Sequence, residues 1–367
     1  MSMASKRSIA LDVVRCVALF SVNAVHFFLN NGFYKQTMTG GRMLVMMVMR
    51  NSFMVCVPLF ILLTGYLMGN KKLSRGYYLR VVRVVSIYAL ASLFCAAYKI
   101  HVRKTGLTIA GAFWGILSFN AAPYAWYMEM YLGLFLLVPF LNILYHGLER
   151  RGHKRWLLAT LLVLTAAPSM LNIFRVAGLD WWLSPNTSQE YQQLIPQWWT
   201  DLYPITYYYL GCYLKEYPLR LKPVKHLLLL AGSTLAFGLF SFYRCRNGLF
   251  IWGDWQSWGS AFVTLQTVLV FTFLVQRSYR WVPKPVQGVI TKVSEWSLGA
   301  YLVSWVFDKL VYAWLNAAVP DTLDRLPWFF VAVPAVFVCS VAVSGVLELI
   351  HNVTVEPVLN RLTGKKG

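Results

Sequence analysis

The sequence predicts an all-α fold, a polytopic bundle of about ten transmembrane helices. Hydrophobic residues make up 58% of the 367 residues and charged residues only 13%, which is little more than half the charged share of a typical soluble protein. The mean hydropathy is positive, at +0.52. Apolar runs of roughly 20 residues, the length that crosses a bilayer as a helix, recur along the chain with basic residues between them.

The apolar runs assign ten spans to one transmembrane domain over residues 1–367, with no soluble domain expected. The stretch 107–119 is ambiguous, because its length suits a re-entrant or interfacial helix as well. The predicted spans lie near 9–30, 43–68, 78–98, 123–145, 156–176, 202–214, 224–243, 257–275, 290–315 and 328–350.

The basic residues predict the orientation of this bundle. With the N-terminus inside, twenty-two Lys and Arg residues fall on the cytoplasmic side and eleven on the other, while Arg15 lies within the first span. Short cytoplasmic loops carry such an excess, so we expect both termini in the cytoplasm. The bias has an exception in three basic residues that the map places together on the outer side, Lys99, Arg103 and Lys104. The net charge of +20 is explained by topology and anionic lipid, so the expected partner is the bilayer and not nucleic acid.

The six cysteines give no sign of a disulfide framework or a metal site. They are scattered, and no CxxC or Cys/His spacing appears among them. We therefore expect no metal and no bound cofactor.

Three ionisable residues share one stripe of the first predicted helix. At about 100° per residue, Arg15 comes within roughly 20° of His26 around the helix axis, and Asp12 within roughly 40° of it. Asn23 and Asn30 lie on the same face, where their amides can orient the imidazole. Ionisable groups at membrane depth are costly and mark functional sites. A neutral, oriented imidazole is a general base, and the plainer alternative is a polar contact between helices.

Five short blocks, taken in their order and spacing, resemble the membrane acyltransferase 3 family, the multi-pass enzymes that O-acylate surface glycans. The first is Arg15, ten intervening residues and His26, with Leu11-Asp12 before them. The other four are Val57-Pro58-Leu59-Phe60-Ile61-Leu62-Leu63-Thr64-Gly65-Tyr66, the RxxR element 78–83, the block 126–134 with Pro139, and the late block 297–304.

The resemblance implies transfer of an acyl group, expected to be acetyl, from cytosolic acyl-CoA to a sugar hydroxyl at the plasma membrane. His26 would be the general base or a transient acyl carrier, with Arg15 and Asp12 supporting it. Many members carry a histidine where this chain has Ser304, so His26 is the only histidine base expected among the matched blocks. The acceptor glycan, the acyl chain and the oligomeric state stay open.

Arg80 and Arg83 form an i,i+3 pair at the predicted cytoplasmic start of the third span. Guanidinium groups suit phosphate oxygens, although plain positive-inside anchoring explains the pair as well. The resemblance implies that these arginines hold the phosphates of the acyl-CoA donor.

Glu129 is predicted to be a second buried acid, six residues into the fourth span. It would orient His26, pair with Arg15 or bind acceptor hydroxyls, and a structural ion pair is an equal alternative.

Paired tryptophans in the predicted outer loop 177–201 are candidates for binding the sugar: Trp181, Trp182, Trp198 and Trp199. Flat indole faces suit sugar rings, but an interfacial aromatic belt would place tryptophans there too. A transporter of glycans or small anions is the alternative function. It is disfavoured because no repeat relates the two halves of the chain.

Overall fold

The computed structural model describes residues 8–175, 183 and 191–363, and this part of the chain is helical without a β-strand. The predicted all-α class is therefore confirmed. The helices are α1 Ile9–Asn30, α2 Gly40–Ser52, α3 Cys56–Met68, α4 Arg75–Tyr78, α5 Val81–Ala97, α6 Ile109–Leu117, α7 Trp126–Gly147, α8 Arg151–Thr165, α9 Pro168–Leu171, α10 Tyr203–Glu216, α11 Pro223–Cys245, α12 Ala261–Val275, α13 Lys284–Ala318, α14 Phe329–Thr354 and α15 Glu356–Thr363.

Seven helical segments of the described residues are long and apolar enough to cross a membrane. They match seven of the ten predicted spans. Of the other three, α8 and α10 have only 15 and 14 residues, while α13 has 35 and is long enough. Polar residues, Asp308 and Lys309 among them, lower the hydropathy of α13. The number of ten spans and the cytoplasmic termini stay predictions.

The ambiguous stretch 107–119 folds as α6, a helix of nine residues. At 1.5 Å per residue it is too short to cross a bilayer. Ile109 and Trp114 are 86% and 66% exposed. α6 is thus a short helix on the surface of the bundle.

Helix α1 lies at the centre of the bundle, packed against α3, α13 and α14. It runs parallel to α13, because the contacts of Asp12 with Ser294 and of His26 with Asp308 join residues 282 positions apart in both cases. Phe20 contacts Phe337 in α14, whereas Phe27, further along α1, contacts the earlier Phe329, so α14 runs antiparallel to α1. The polar stripe of α1 therefore follows α13 along its length.

Helices α3 and α10 approach closely through glycine. A Cβ atom on Gly65 would overlap the backbone oxygen of Tyr208, and one on Gly211 would overlap that of Leu62. Only glycine leaves room for backbones at this distance. This crossing places α3, which carries Val57, against α1 on the side of the polar stripe.

Candidate active site

His26 lies beside a buried carboxylate from a distant part of the chain. Its Nδ1 is 3.0 Å from Oδ2 of Asp308 on α13, an ion-pair distance at an angle that misses a linear hydrogen bond. Tyr124, just before α7, donates a hydrogen bond of 2.7 Å to the same oxygen. The rings of Tyr124 and His26 lie with their centroids 4.0 Å apart. Carboxylate and phenol together hold the imidazole in place from two other elements.

Asp308 belongs to none of the sequence motifs that predicted the site. Its side chain is fully buried, and no described residue donates a hydrogen bond to its Oδ1. A carboxylate within the apolar span 290–315 is costly, so its presence in the sequence could have marked Asp308 as a candidate site residue. Asp308 lies four residues, about one helical turn, after Ser304. Ser304 is the position at which many members of the family that the sequence resembles carry a histidine. Ser304 is also buried, and its hydroxyl donates to the carbonyl of Tyr301 in its own helix.

The two asparagines of the stripe do not contact the imidazole, contrary to expectation. Asn30 donates to the backbone carbonyl of His26 and accepts a hydrogen bond from Lys309 on α13. It is the last residue of α1, where helix carbonyls lack partners, so its amide closes the helix end. Asn23 is buried, and neither atom of its amide has a hydrogen-bond partner among the described residues.

Asp12 and Arg15 form a second polar cluster at the other end of α1. Nη1 of Arg15 lies 3.5 Å from Oδ1 of Asp12 and 3.2 Å from the hydroxyl of Ser294 on α13. That hydroxyl donates to Asp12 at 2.6 Å. Asp12 is thus held by α13, and Arg15 keeps a partly exposed guanidinium. Eleven residues of helix, about 16 Å, separate this cluster from His26.

Two cavities lie along α1 between these clusters. The first, here called the Arg15 cavity, has a volume of about 240 Å³ and is lined by Arg15, Thr64 and Tyr131 among others. The second, the His26 cavity, has a volume of about 430 Å³. Both share three walls, Val22, Val57 and Tyr301. These three side chains thus lie between a space reaching Arg15 and a space reaching His26.

A third cavity, about 450 Å³ in volume, adjoins the His26 cavity. Four residues line both of them: Trp126, Asp254, Ser257 and Trp258. The indole rings of Trp126 and Trp258 are stacked, and Asp201 adds a second carboxylate to the wall. We call it the Asp201 cavity. Aromatic faces and carboxylates side by side suit a polyhydroxylated ligand.

Arg80 and Arg83 lie away from these cavities, on the surface. Arg80 is exposed and makes no hydrogen bond or ion pair with a described residue. Nη2 of Arg83 lies 3.0 Å from a carboxylate oxygen of Glu348 on α14, and its side chain remains 48% exposed. Both guanidinium groups stay accessible, and Arg83 shares its charge with Glu348.

The expected burial of Glu129 is wrong. Its side chain is exposed, and it forms neither an ion pair nor a hydrogen bond with any described residue. Tyr127 and Met128, the two residues directly before it, are buried on the inner face of α7 together with Leu134 and Phe135. The sequence of this uniformly apolar helix does not show which of its faces meets the core.

Of the predicted tryptophan pairs, the one that the structure describes does not line the cavities. Trp198 and Trp199 are 94% and 51% exposed and line none of the three cavities. Trp181 and Trp182 lie outside the described residues. Trp126, Trp252 and Trp258 take that place in the His26 cavity.

Within residues 8–175 and 191–363, no group of three His, Cys, Asp or Glu side chains is close enough to hold a metal ion. The polar groups around His26 are the carboxylate of Asp308 and the phenol of Tyr124. A hydroxyl that enters the His26 cavity would meet the imidazole.

One family of known proteins is similar to this chain over most of its length. The model of a family described as an acyltransferase domain, Acyl_transf_3, matches residues 8–345, which is nearly the whole chain. No curated protein and no solved structure matches the chain. The matched range includes α1 with its polar stripe and Asp308. It also includes the three residues that line both the Arg15 and the His26 cavity, Val22, Val57 and Tyr301. The chain belongs to the membrane acyltransferase 3 family.

Proposed function

We propose that this multi-pass membrane acyltransferase transfers an acetyl group from acetyl-CoA to a sugar hydroxyl of a surface polysaccharide or its lipid-linked precursor. One observation carries the proposal. His26, held by Asp308 and Tyr124, lies on a cavity that shares three walls with a second cavity reaching Arg15. A base between two cavities suits a reaction whose substrates arrive from opposite sides.

The donor would enter on the side of Arg15. Its phosphates would contact the exposed Arg80 and Arg83, and its pantetheine arm would follow the Arg15 cavity past Val22 and Val57. The distance from Arg15 to His26, about 16 Å along the helix, is of the order of that arm. The predicted cytoplasmic orientation of this end of α1, in the plasma membrane, matches the place where acetyl-CoA is made available.

The acceptor would enter through the Asp201 cavity. Its sugar ring would lie against Trp126 and Trp258, with hydroxyls bonded to Asp201 and Asp254. The reacting hydroxyl would then extend into the His26 cavity, because those cavities share a wall.

The chemistry would follow from the direction of the imidazole. Nδ1 faces Asp308, so Nε2 takes the proton of the acceptor hydroxyl while its oxygen attacks the thioester carbonyl. The C–S bond breaks, and the CoA thiolate recovers a proton from the imidazolium. Alternatively, Nε2 itself attacks the thioester carbonyl and the C–S bond breaks, which gives a transient acyl-His26 and the CoA thiolate. The acceptor hydroxyl then attacks the acyl group, its proton passes to the thiolate, and the bond from the acyl group to Nε2 breaks to restore the imidazole. Asp308 stabilises the imidazolium that forms in either route.

The proposal is tested with purified protein and acetyl-CoA labelled in the acetyl group. We expect His26→Ala to lower glycan-dependent CoA release by at least about 10²-fold, because the base is lost. His153→Ala is the matched control, since His153 is exposed on α8 and lines none of the three cavities. Full acetyl transfer by His26→Ala would refute the assignment. Movement of a glycan without consumption of acetyl-CoA would favour a transporter instead.

The acceptor is identified from the product in cells. Surface glycans from cells with the wild-type protein should be heavier by the mass of one acetyl group than glycans from cells with His26→Ala. A rapid quench followed by mass analysis of the protein detects acyl-His26 if the transfer has two steps.

A further inference from the structure

Arg50 on α2 is a buried cation that the proposed mechanism does not use. Its side chain is 1% exposed, yet it lines the His26 cavity. No carboxylate among the described residues forms an ion pair with it. A buried charge without a counter-ion is costly, and more so within a membrane protein. This cost calls for a compensating partner.

Neutral groups hold the guanidinium without neutralising it. Nε donates to the hydroxyl of Tyr34 at 3.2 Å, and Nη1 donates to the amide oxygens of Asn51 at 3.0 Å and Gln256 at 2.5 Å. The rings of Phe250 and Trp252 lie 5.0 and 5.6 Å from its central carbon, at cation–π distance. These contacts fix the orientation of the side chain and leave its charge in place.

One nitrogen of the guanidinium, Nη2, takes no part in these hydrogen bonds. No described residue accepts a hydrogen bond from Nη2, and this nitrogen is not sealed off from the cavity. Asp254 lines the same cavity, but its carboxylate accepts a hydrogen bond of 2.6 Å from Gln197 and forms no ion pair with Arg50. Nη2 thus has two N–H groups without a hydrogen-bond acceptor among the described residues, on a side chain that lines the cavity where the sugar would bind.

We propose that Arg50 binds an oxyanion group on the acceptor, a carboxylate or a phosphate carried by the sugar. This inference rests on the proposed function, because it names the class of acceptor for the same cavity. A guanidinium edge suits either oxyanion. A permanent anion on the substrate would neutralise Arg50 throughout binding. A negative charge present only in the transition state would leave the buried cation uncompensated before and after the reaction.

The test compares matched acceptors on the wild-type protein. The probes are a short glucuronate-containing oligosaccharide, the same oligosaccharide with its carboxyl groups methyl-esterified, and a phosphorylated glucose oligosaccharide. We expect KM for the acid to be about 10- to 100-fold lower than for the ester, the range of a charge-assisted hydrogen bond. The phosphorylated probe then shows which oxyanion is preferred. Equal KM values for the acid, the ester and the phosphorylated probe overturn the proposal.

Two variants assign the preference to Arg50. Arg50→Met should bring the ratio of the KM values for ester and acid close to one, while Arg50→Lys, which keeps the charge, should retain part of it. Arg42→Met is the control on the same helix, because Arg42 is exposed and pairs with Asp324. An unchanged ratio in Arg50→Met, or an equal fall of kcat with both acceptors, overturns the proposal.

Binding without donor separates this inference from the proposed function. Tryptophan fluorescence reports acceptor binding, since Trp252 and Trp126 line the cavity. Arg50-dependent binding of the acid without any acetyl transfer would leave the anion site standing and refute the transferase mechanism. Acetyl transfer that does not discriminate between charged and neutral acceptors would leave the transferase mechanism standing and refute the anion site.

Discussion

At the scale of single residues, the site depends on a pairing between α1 and α13. A carboxylate buried in a transmembrane helix is retained where it has a partner and a task. Asp308 has partners, since His26 and Tyr124 converge on one of its oxygens, and the proposed mechanism gives it the task of stabilising the imidazolium. Glu129, the acid that the sequence favoured, has neither and faces outward. The two acids therefore differ in a way that mutation can measure.

We expect Asp308→Asn to lower kcat/KM by roughly 10²- to 10⁴-fold, because an amide neither stabilises the imidazolium nor fixes its tautomer. Glu129→Gln removes an exposed charge and should lose far less. Both are measured as CoA release with the glycan acceptor. Equal losses in the two variants would contradict the pairing of Asp308 with His26, provided that both proteins unfold at the wild-type temperature.

At the scale of elements, the crossing of α3 and α10 determines where the cavity wall lies. Gly65 and Gly211 allow the two backbones into contact, and Val57 lies two turns before Gly65 on α3. Gly65, in the block Val57–Tyr66, is thus explained by close packing of the two helices. A methyl group at this crossing would push the wall outward.

Gly65→Ala should destabilise the protein by about 1–3 kcal/mol, because a rigid backbone oxygen has no room to yield. Gly133→Ala is the control: nothing lies within 4 Å of the added methyl, and alanine favours a helix. The apparent melting temperature in detergent should fall for the first variant and stay level or rise for the second. A Gly65→Ala protein as stable as Gly133→Ala would show that the helices separate easily.

At the scale of the whole molecule, three cavities from separate parts of the chain form one series. The Arg15 and His26 cavities are divided by side chains of α1, α3 and α13, and the Asp201 cavity follows on the far side. In the proposed reaction, such a series would let the donor and the acceptor approach His26 from different cavities. Val22, Val57 and Tyr301 line both the Arg15 cavity and the His26 cavity.

Val57→Trp should block the passage from the Arg15 cavity to the His26 cavity, because the larger side chain lies where both cavities share a wall. We expect acetyl transfer to fall by about tenfold or more, since the thioester no longer reaches His26, while binding of CoA measured by calorimetry is retained. Val57→Ala, which widens the same point, should keep transfer. Loss of CoA binding together with transfer in Val57→Trp would mean that the donor does not pass Val57.

The sequence alone determined the features that depend on local periodicity. The all-α class follows from apolar runs of bilayer length, and the shared face of Asp12, Arg15 and His26 follows from the pitch of one helix. Both are properties of consecutive residues, so they need no knowledge of the neighbouring helices.

Only the tertiary structure decided which groups meet. Asp308 reaches His26 from 282 residues away because α13 packs parallel to α1, and Tyr124 joins them from a third element. Glu129 is excluded because α7 turns its other face inward, and Arg50 enters the same cavity from α2. Helices that are apolar all round carry little signal for their buried face or their neighbours, so the packing of the bundle, and not the pattern of any one segment, assembled the site.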